Sequence, residues 1–233
     1  SHTLWVIDDN DLIKSLCGLF DQVPDFYIAD GHHRSASACK VGELRREQHP
    51  DYTGEEEFNF FMAVIFPDKD LRIYDYNRVV KDLAGYTKEA FLQKIAEAGF
   101  TVTDEGSMPY RPDAIHEFSM YLEGHWYKLV CEERIIPDDL IGALDVSILQ
   151  QNLLAPILKI EDPRIDQRID FVGGIRGLKE LERRATLDMK VAFAVYPVSM
   201  EELMNIADHG EIMPPKSTWF EPKIGSGLFM HRL

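Results

Sequence analysis

The residues best suited to do chemistry are Asp30-Gly31-His32-His33-Arg34. A short apolar run, Phe26-Tyr27-Ile28-Ala29, leads in, and a helical stretch from His32 or His33 to about Glu47 leads out. The first turn of a helix leaves main-chain N–H groups unpaired and carries about half a positive charge. Gly31 removes side-chain bulk, so that a phosphate can approach the backbone there. His33 and Arg34 add donors, and a guanidinium can grip two phosphate oxygens as a fork. Asp30 can accept from a hydroxyl, orient a histidine or act as a base. The same five residues also read as a capped surface turn with an exposed His and Arg.

A second candidate is the segment Met213 to Lys223, where three prolines forbid regular structure. Lys216, Ser217, Thr218 and Lys223 put two cations and two hydroxyls on a stiffened loop, which reduces the entropy lost on holding a ligand. Lys216-Ser217-Thr218 echoes the end of a Walker loop, but the glycine frame of that motif is missing. Solvated lysines, turn-forming hydroxyls and core aromatics at Trp219 and Phe220 account for the segment equally well. Gly173-Gly174 suits a plain turn better than a dinucleotide fingerprint. His116 and His125 read as surface or hydrogen-bonded histidines. No ligand set for a metal is visible, although magnesium can arrive with a nucleotide.

The chain has 233 residues, 45% of them hydrophobic, enough for a full core. Its formal net charge of −15 repels nucleic acid and anionic membrane surfaces, so an anion site must be a local positive spot. Three scattered cysteines, Cys17, Cys39 and Cys131, do not form a secreted disulfide framework, and a reducing cytoplasm is the expected setting. Cys17 and Cys39 are expected as core fillers. No run is long enough to span a membrane.

The elements that must position these residues follow from periodicity. Strands are expected at Leu4 to Ile7, Phe26 to Ala29, Phe58 to Phe66, Leu71 to Val80, Phe100 to Val102, Ile169 to Val172, Val191 to Tyr196 and Leu228 to Leu233. Ile115 to Leu122 and Trp126 to Cys131 should form a hairpin around Glu123-Gly124-His125. Helices are expected after Asp9 or Asn10, after Thr87, from Pro137 through Leu149, from Gly177 to Arg184 and after Ser199. Ala36, Ala38, Cys39 and Gly42 keep the helix after Gly31 slim enough to lie against a sheet. The expected class is α/β (α+β), a mixed β-sheet with helices packed on it. The abrupt apolar start suggests a single α/β domain over 1–233 that forms the C-terminal part of a longer protein.

Three segments together resemble domain of unknown function family 1015: Tyr27-Ile28-Ala29-Asp30-Gly31-His32-His33-Arg34, Ile169-Asp170-Phe171-Val172-Gly173-Gly174 and Met213-Pro214-Pro215-Lys216-Ser217-Thr218-Trp219-Phe220. Leu4-Trp5-Val6-Ile7-Asp8-Asp9 and Trp126-Tyr127-Lys128-Leu129 are similar to it too. The Asp-Gly-His-His-Arg stretch is similar to the phosphate-binding box of the ParB and sulfiredoxin superfamily, a strand-turn-helix that holds nucleotide phosphates. That resemblance implies phosphate contacts at Gly31, His32, His33 and Arg34, with Asp30 beside them. A histidine stands where sulfiredoxin has its cysteine, which speaks against sulfinic acid reduction. The superfamily includes a kinase acting on free serine, whose acid lies upstream of the box. Only a short piece of chain precedes Asp30 here, and Asp8 or Asp9 could take that part only if the fold brings them near.

The expected function is therefore nucleotide or phosphate binding, with phosphoryl transfer to a small metabolite such as serine as the enzymatic form. Asp30 and Lys216 are its catalytic candidates. Gly31, His32, His33, Arg34, Ser217, Thr218 and Lys223 are the phosphate-binding ones, and ATP or ADP with magnesium the cofactors. The alternatives are a non-catalytic nucleotide or phosphometabolite sensor and, against the acidic balance, a ParB-like partner of DNA.

Overall fold

The computed structural model describes residues 3–225 and 227–232. The chain divides into two compact units, one running to Met62 and including His231, the other Ala63–Met230.

In the first unit Asp9 caps helix α1 (Asn10–Phe20), its carboxylate accepting from the N–H groups of Asp11 and Leu12 at 2.9 Å. Helix α2 (His32–Gln48) follows. Its one buried residue is Gly42, where an added Cβ would stand 3.1 Å from the Phe58 carbonyl oxygen. The small side chains thus admit the main chain around Phe58, where a sheet was expected. Arg46 donates to Asn59 at 2.9 Å, and Phe58 stacks on His49.

Three strands expected in the first half of the chain do not form. Leu4–Ile7, Phe26–Ala29 and the stretch after Asn59 to Phe66 are irregular and pair with no strand among the described residues. Their large side chains are exposed, Trp5 at 79% and Phe60 at 53%. Their apolarity is that of buried strands, but a strand exists only when another supplies the ladder. Cys17 and Cys39, expected in a core, are exposed for the same reason.

The second unit holds every buried large side chain among the described residues. Its strands are β1 (Arg72–Tyr74), β2 (Tyr76–Val80), β3 (Phe100–Gly106), β4 (Glu117–Leu122), β5 (His125–Cys131), β6 (Ile169–Gly173), β7 (Val191–Val195) and β8 (Trp219–Glu221). Six form one sheet in the order β3-β5-β4-β7-β2-β6, while β1 and β8 pair separately. Every pairing is antiparallel, so the expected mixed sheet is antiparallel throughout. The hairpin between β4 and β5 turns on Glu123 and Gly124, both with positive φ (50° and 86°), which matches a two-residue loop to the strand twist.

Strand β7 is buried on both faces. Val191, Phe193 and Val195 join the larger core on one side, and Ala192 and Ala194 join the smaller core on the other. Helix α3 (Lys88–Glu97), capped by Thr87, adds Phe91 and Ile95 to the larger core. Helix α5 (Leu178–Leu187) lays Leu181 on the alanine side, where small residues allow close approach. Helix α6 (Met200–Asp208) starts from Ser199 in a capping box with Glu202 and buries Ile206.

The expected helix from Pro137 to Leu149 is shorter. Asp139 accepts from the Gly142 N–H at 2.7 Å, a local turn that competes with helix. Only α4 (Asp145–Leu149) forms, running into a wide turn over Gln150–Leu154. Residues 228–232 are not a strand, and the Leu233 end of that expectation lies outside the described residues.

Candidate functional site

Gly31 stands at the N-cap of α2 with φ 86°, the left-handed region that suits glycine and turns the chain sharply into the helix. No side chain caps this end, and the first turn carries no acid. The first intrahelical bond runs from Ser35 N–H to the Gly31 carbonyl at 2.9 Å. The main-chain N–H groups of His32, His33 and Arg34 thus lie ahead of the helical ladder, with no acceptor among the described residues.

His32, His33 and Arg34 are all exposed, so solvent reaches the corner. Arg34 folds back over the turn. A Cβ on Gly31 would stand 3.1 to 3.4 Å from the guanidinium. One guanidinium nitrogen lies 3.9 Å from the Asp30 carboxylate, both side chains being well exposed. An ion pair so open and so long contributes little stability, so an anion can compete with Asp30 for Arg34 at small cost. The expected strand before the turn does not form, and Tyr27 and Asp30 both have partners of their own.

The second candidate segment belongs to the other unit. The Lys216 ammonium sits over the Tyr76 ring, 5.4 Å from its centre, and Lys223 over Trp219 at 5.0 Å. Ser217 is buried and donates to the Pro214 carbonyl at 2.6 Å, closing a turn; Lys216 itself has φ 60°. Thr218 is half-buried. Trp219 to Glu221, expected to be irregular, form strand β8 against β1. Lys216 also lines an open cavity of about 370 Å³ with Asp166, Asp170 and Phe171.

Beneath this loop is a polar cluster that sequence reading missed. Arg78 is buried and donates to the carbonyls of Tyr76 and, at 3.2 Å, Lys216, with its guanidinium 5.5 Å from the Phe171 ring centre. Burial pulls it down to about 10. Asp75, also buried, accepts from Asn77 at 2.5 Å and lies 3.6 Å from Arg111. The available signal was Asp75 and Arg78, opposite charges inside the segment Leu71 to Val80 that was expected to be a strand. Gly173 and Gly174 serve this cluster. A Cβ on Gly173 would come within 2.6 Å of Trp219, and one on Gly174 would overlap the Asp75 carboxylate. The glycine pair is a packing feature, in line with the plain turn expected.

The fold so defined is α/β, a six-stranded antiparallel sheet covered by helices. The chain belongs to the family described as "Protein of unknown function (DUF1015)", whose model matches residues 1–147. No curated protein matches. Among solved structures, a free serine kinase variant in complex with AMP is similar at a TM-score of 0.43 and 15% identity, covering 83% of this chain and 66% of that one. A free serine kinase in complex with AMP gives 0.40 and 14%, covering 93% and 81%. A conserved hypothetical protein from Pyrococcus furiosus gives 0.42 and 15%, covering 90% and 81%. The chain spans about two thirds of the first structure's length, and at these TM-scores none of the likenesses fixes an activity for it. No helix among the described residues is long and apolar enough to cross a membrane.

Proposed function

We propose that this protein binds a phosphate-bearing small molecule, in the first instance a nucleotide, at the start of α2. The observation that carries this reading is the uncapped, acid-free, solvent-open helix start at Gly31 with a guanidinium folded over it. Three aimed N–H groups and a bidentate cation form a local positive spot on a chain whose net charge is −15. In the enzymatic form of this reading, Asp30 takes the proton from the hydroxyl of a small alcohol such as serine. Magnesium enters on the nucleotide phosphates.

The test has two stages. AMP, ADP and inorganic phosphate are titrated against the purified protein while its thermal unfolding is followed. Arg34→Ala should weaken binding about tenfold or more, the value of one lost charge-assisted hydrogen bond pair. An unchanged affinity in that variant removes the site. Turnover of ATP or ADP with serine and other small alcohols then separates a kinase from a sensor, since a sensor binds and forms no product.

A further inference from the structure

His116 lies just ahead of β4 with φ 65°, a left-handed conformation that a histidine holds only under constraint. The constraint is Asp145, the first residue of α4. One of its oxygens, Oδ1, accepts from the His116 main-chain N–H at 2.8 Å and lies 3.1 Å from Nδ1 of the ring. The His116 carbonyl in turn accepts from the Cys131 N–H at 3.0 Å. The turn is therefore tied on both sides, and both ties to Asp145 fall on a single carboxylate oxygen.

The other oxygen, Oδ2, is buried and has no hydrogen-bond partner among the described residues. Asp145 is only 7% exposed. A buried carboxylate oxygen without a donor is costly, and folded proteins rarely leave one so. His116 and Asp145 help to line a cavity of about 10 Å³, with Leu144, Val198 and Glu202 among the other walls. That volume seats one water-sized group, and the cavity opens to solvent, so anything attached to that group must lie outside it. The wall contains two carboxylates and an imidazole but no lysine or arginine. Glu202 already accepts from the N–H and hydroxyl of Ser199, so its charge stays fixed at the rim.

We propose that this cavity is a binding point for one small cationic donor, an ammonium ion or the terminal ammonium of a small primary amine, seated on Asp145 Oδ2. Its size excludes bulkier ligands, and its charge excludes anions. A cationic donor supplies the missing hydrogen bond and offsets the buried charge together, whereas water supplies only the first. The site is independent of the phosphate site at α2. Burial holds the Asp145 carboxyl above its ordinary range, against the pull of the His116 N–H and ring and, more weakly, of the Tyr196 main-chain N–H. The nearby Cys131 thiol is pushed up to about 12, by burial first and the Asp145 charge second, so it is not a competing nucleophile.

The experiment follows the Asp145 carboxyl carbon and the His116 ring by NMR through a pH titration of the full chain. It is run in ammonium chloride, methylammonium chloride and tetramethylammonium chloride at equal ionic strength. The first two salts should lower the Asp145 midpoint by about one unit relative to the third, the size expected for an opposite charge at contact. Glu202→Gln, which keeps the cap, should shrink that separation. In Asp145→Asn the His116 ring should no longer distinguish the salts. Coincident midpoints in all three salts mean that only water fills the cavity, and they overturn the proposal. So does a His116 response that persists without the carboxylate.

Discussion

Gly174→Ala separates the two roles that a glycine pair before a helix can have. Gly174 does not need glycine's backbone freedom, since its φ is not in the left-handed region. It needs the space. Its N–H donates to the Asp75 carbonyl at 2.7 Å, which fixes the distance between the two main chains, and a Cβ would then overlap the Asp75 carboxylate. That carboxylate cannot swing away freely, because Asn77 holds it at 2.5 Å and Arg111 lies 3.6 Å off. Overpacking costs about 1–3 kcal/mol, and displacing a buried, hydrogen-bonded acid costs about 1–3 kcal/mol more. A loss of about 3 kcal/mol is expected, or about 1.5 M in the urea midpoint for a slope near 2 kcal/mol/M. Tryptophan fluorescence is a suitable signal, since Trp219 packs on the adjacent Gly173. In an Asp75→Ala background the same substitution should cost at least about 1.5 kcal/mol less, because the obstacle is gone. A wild-type midpoint, or an equal cost in both backgrounds, refutes the steric account. A variant that folds normally but loses nucleotide binding points instead to a phosphate-binding glycine.

Two further outcomes are expected. Asp145 has its carboxyl raised by burial from 3.8 to about 6, so its contribution favours folding below about pH 4 and is lost as the pH rises through 6. The stability difference between wild type and Asp145→Asn should therefore change by about 1–3 kcal/mol between pH 4 and 7, measured by urea unfolding at fixed ionic strength; a flat difference refutes it. Ser199→Ala removes the hydroxyl half of the capping box on α6, while the main-chain N–H at 199 can still donate to Glu202, and should cost about 1 kcal/mol in the same assay.

The sequence was most legible where a local signal and a tertiary partner agree. Thr87 and Ser199 cap helices as their spacing says, Glu123-Gly124 closes its hairpin, and Val191–Val195 is a central strand. It misled where apolarity stood in for pairing. Leu4–Ile7 and Phe58–Phe66 carry the composition of buried strands, yet composition states what a segment would bury and not what lies opposite it. The helix start at Gly31 could be read because its chemistry is consecutive in sequence. Asp75 with Gly174, and His116 with Asp145, are pairs 99 and 29 positions apart, and single-sequence periodicity carries no information on such contacts.

The segments that join no sheet have a practical consequence. Trp5, Val6, Phe60 and Phe61 expose large apolar side chains in stretches without strand pairing among the described residues, the makings of self-association. What opposes self-association is electrostatic: fifteen excess negative charges make each molecule repel the next. Colloidal behaviour should then track charge and not fold. The protein stays dispersed in dilute alkaline buffer and turns cloudy on concentration near its isoelectric point of about 4.9 or when salt screens the repulsion.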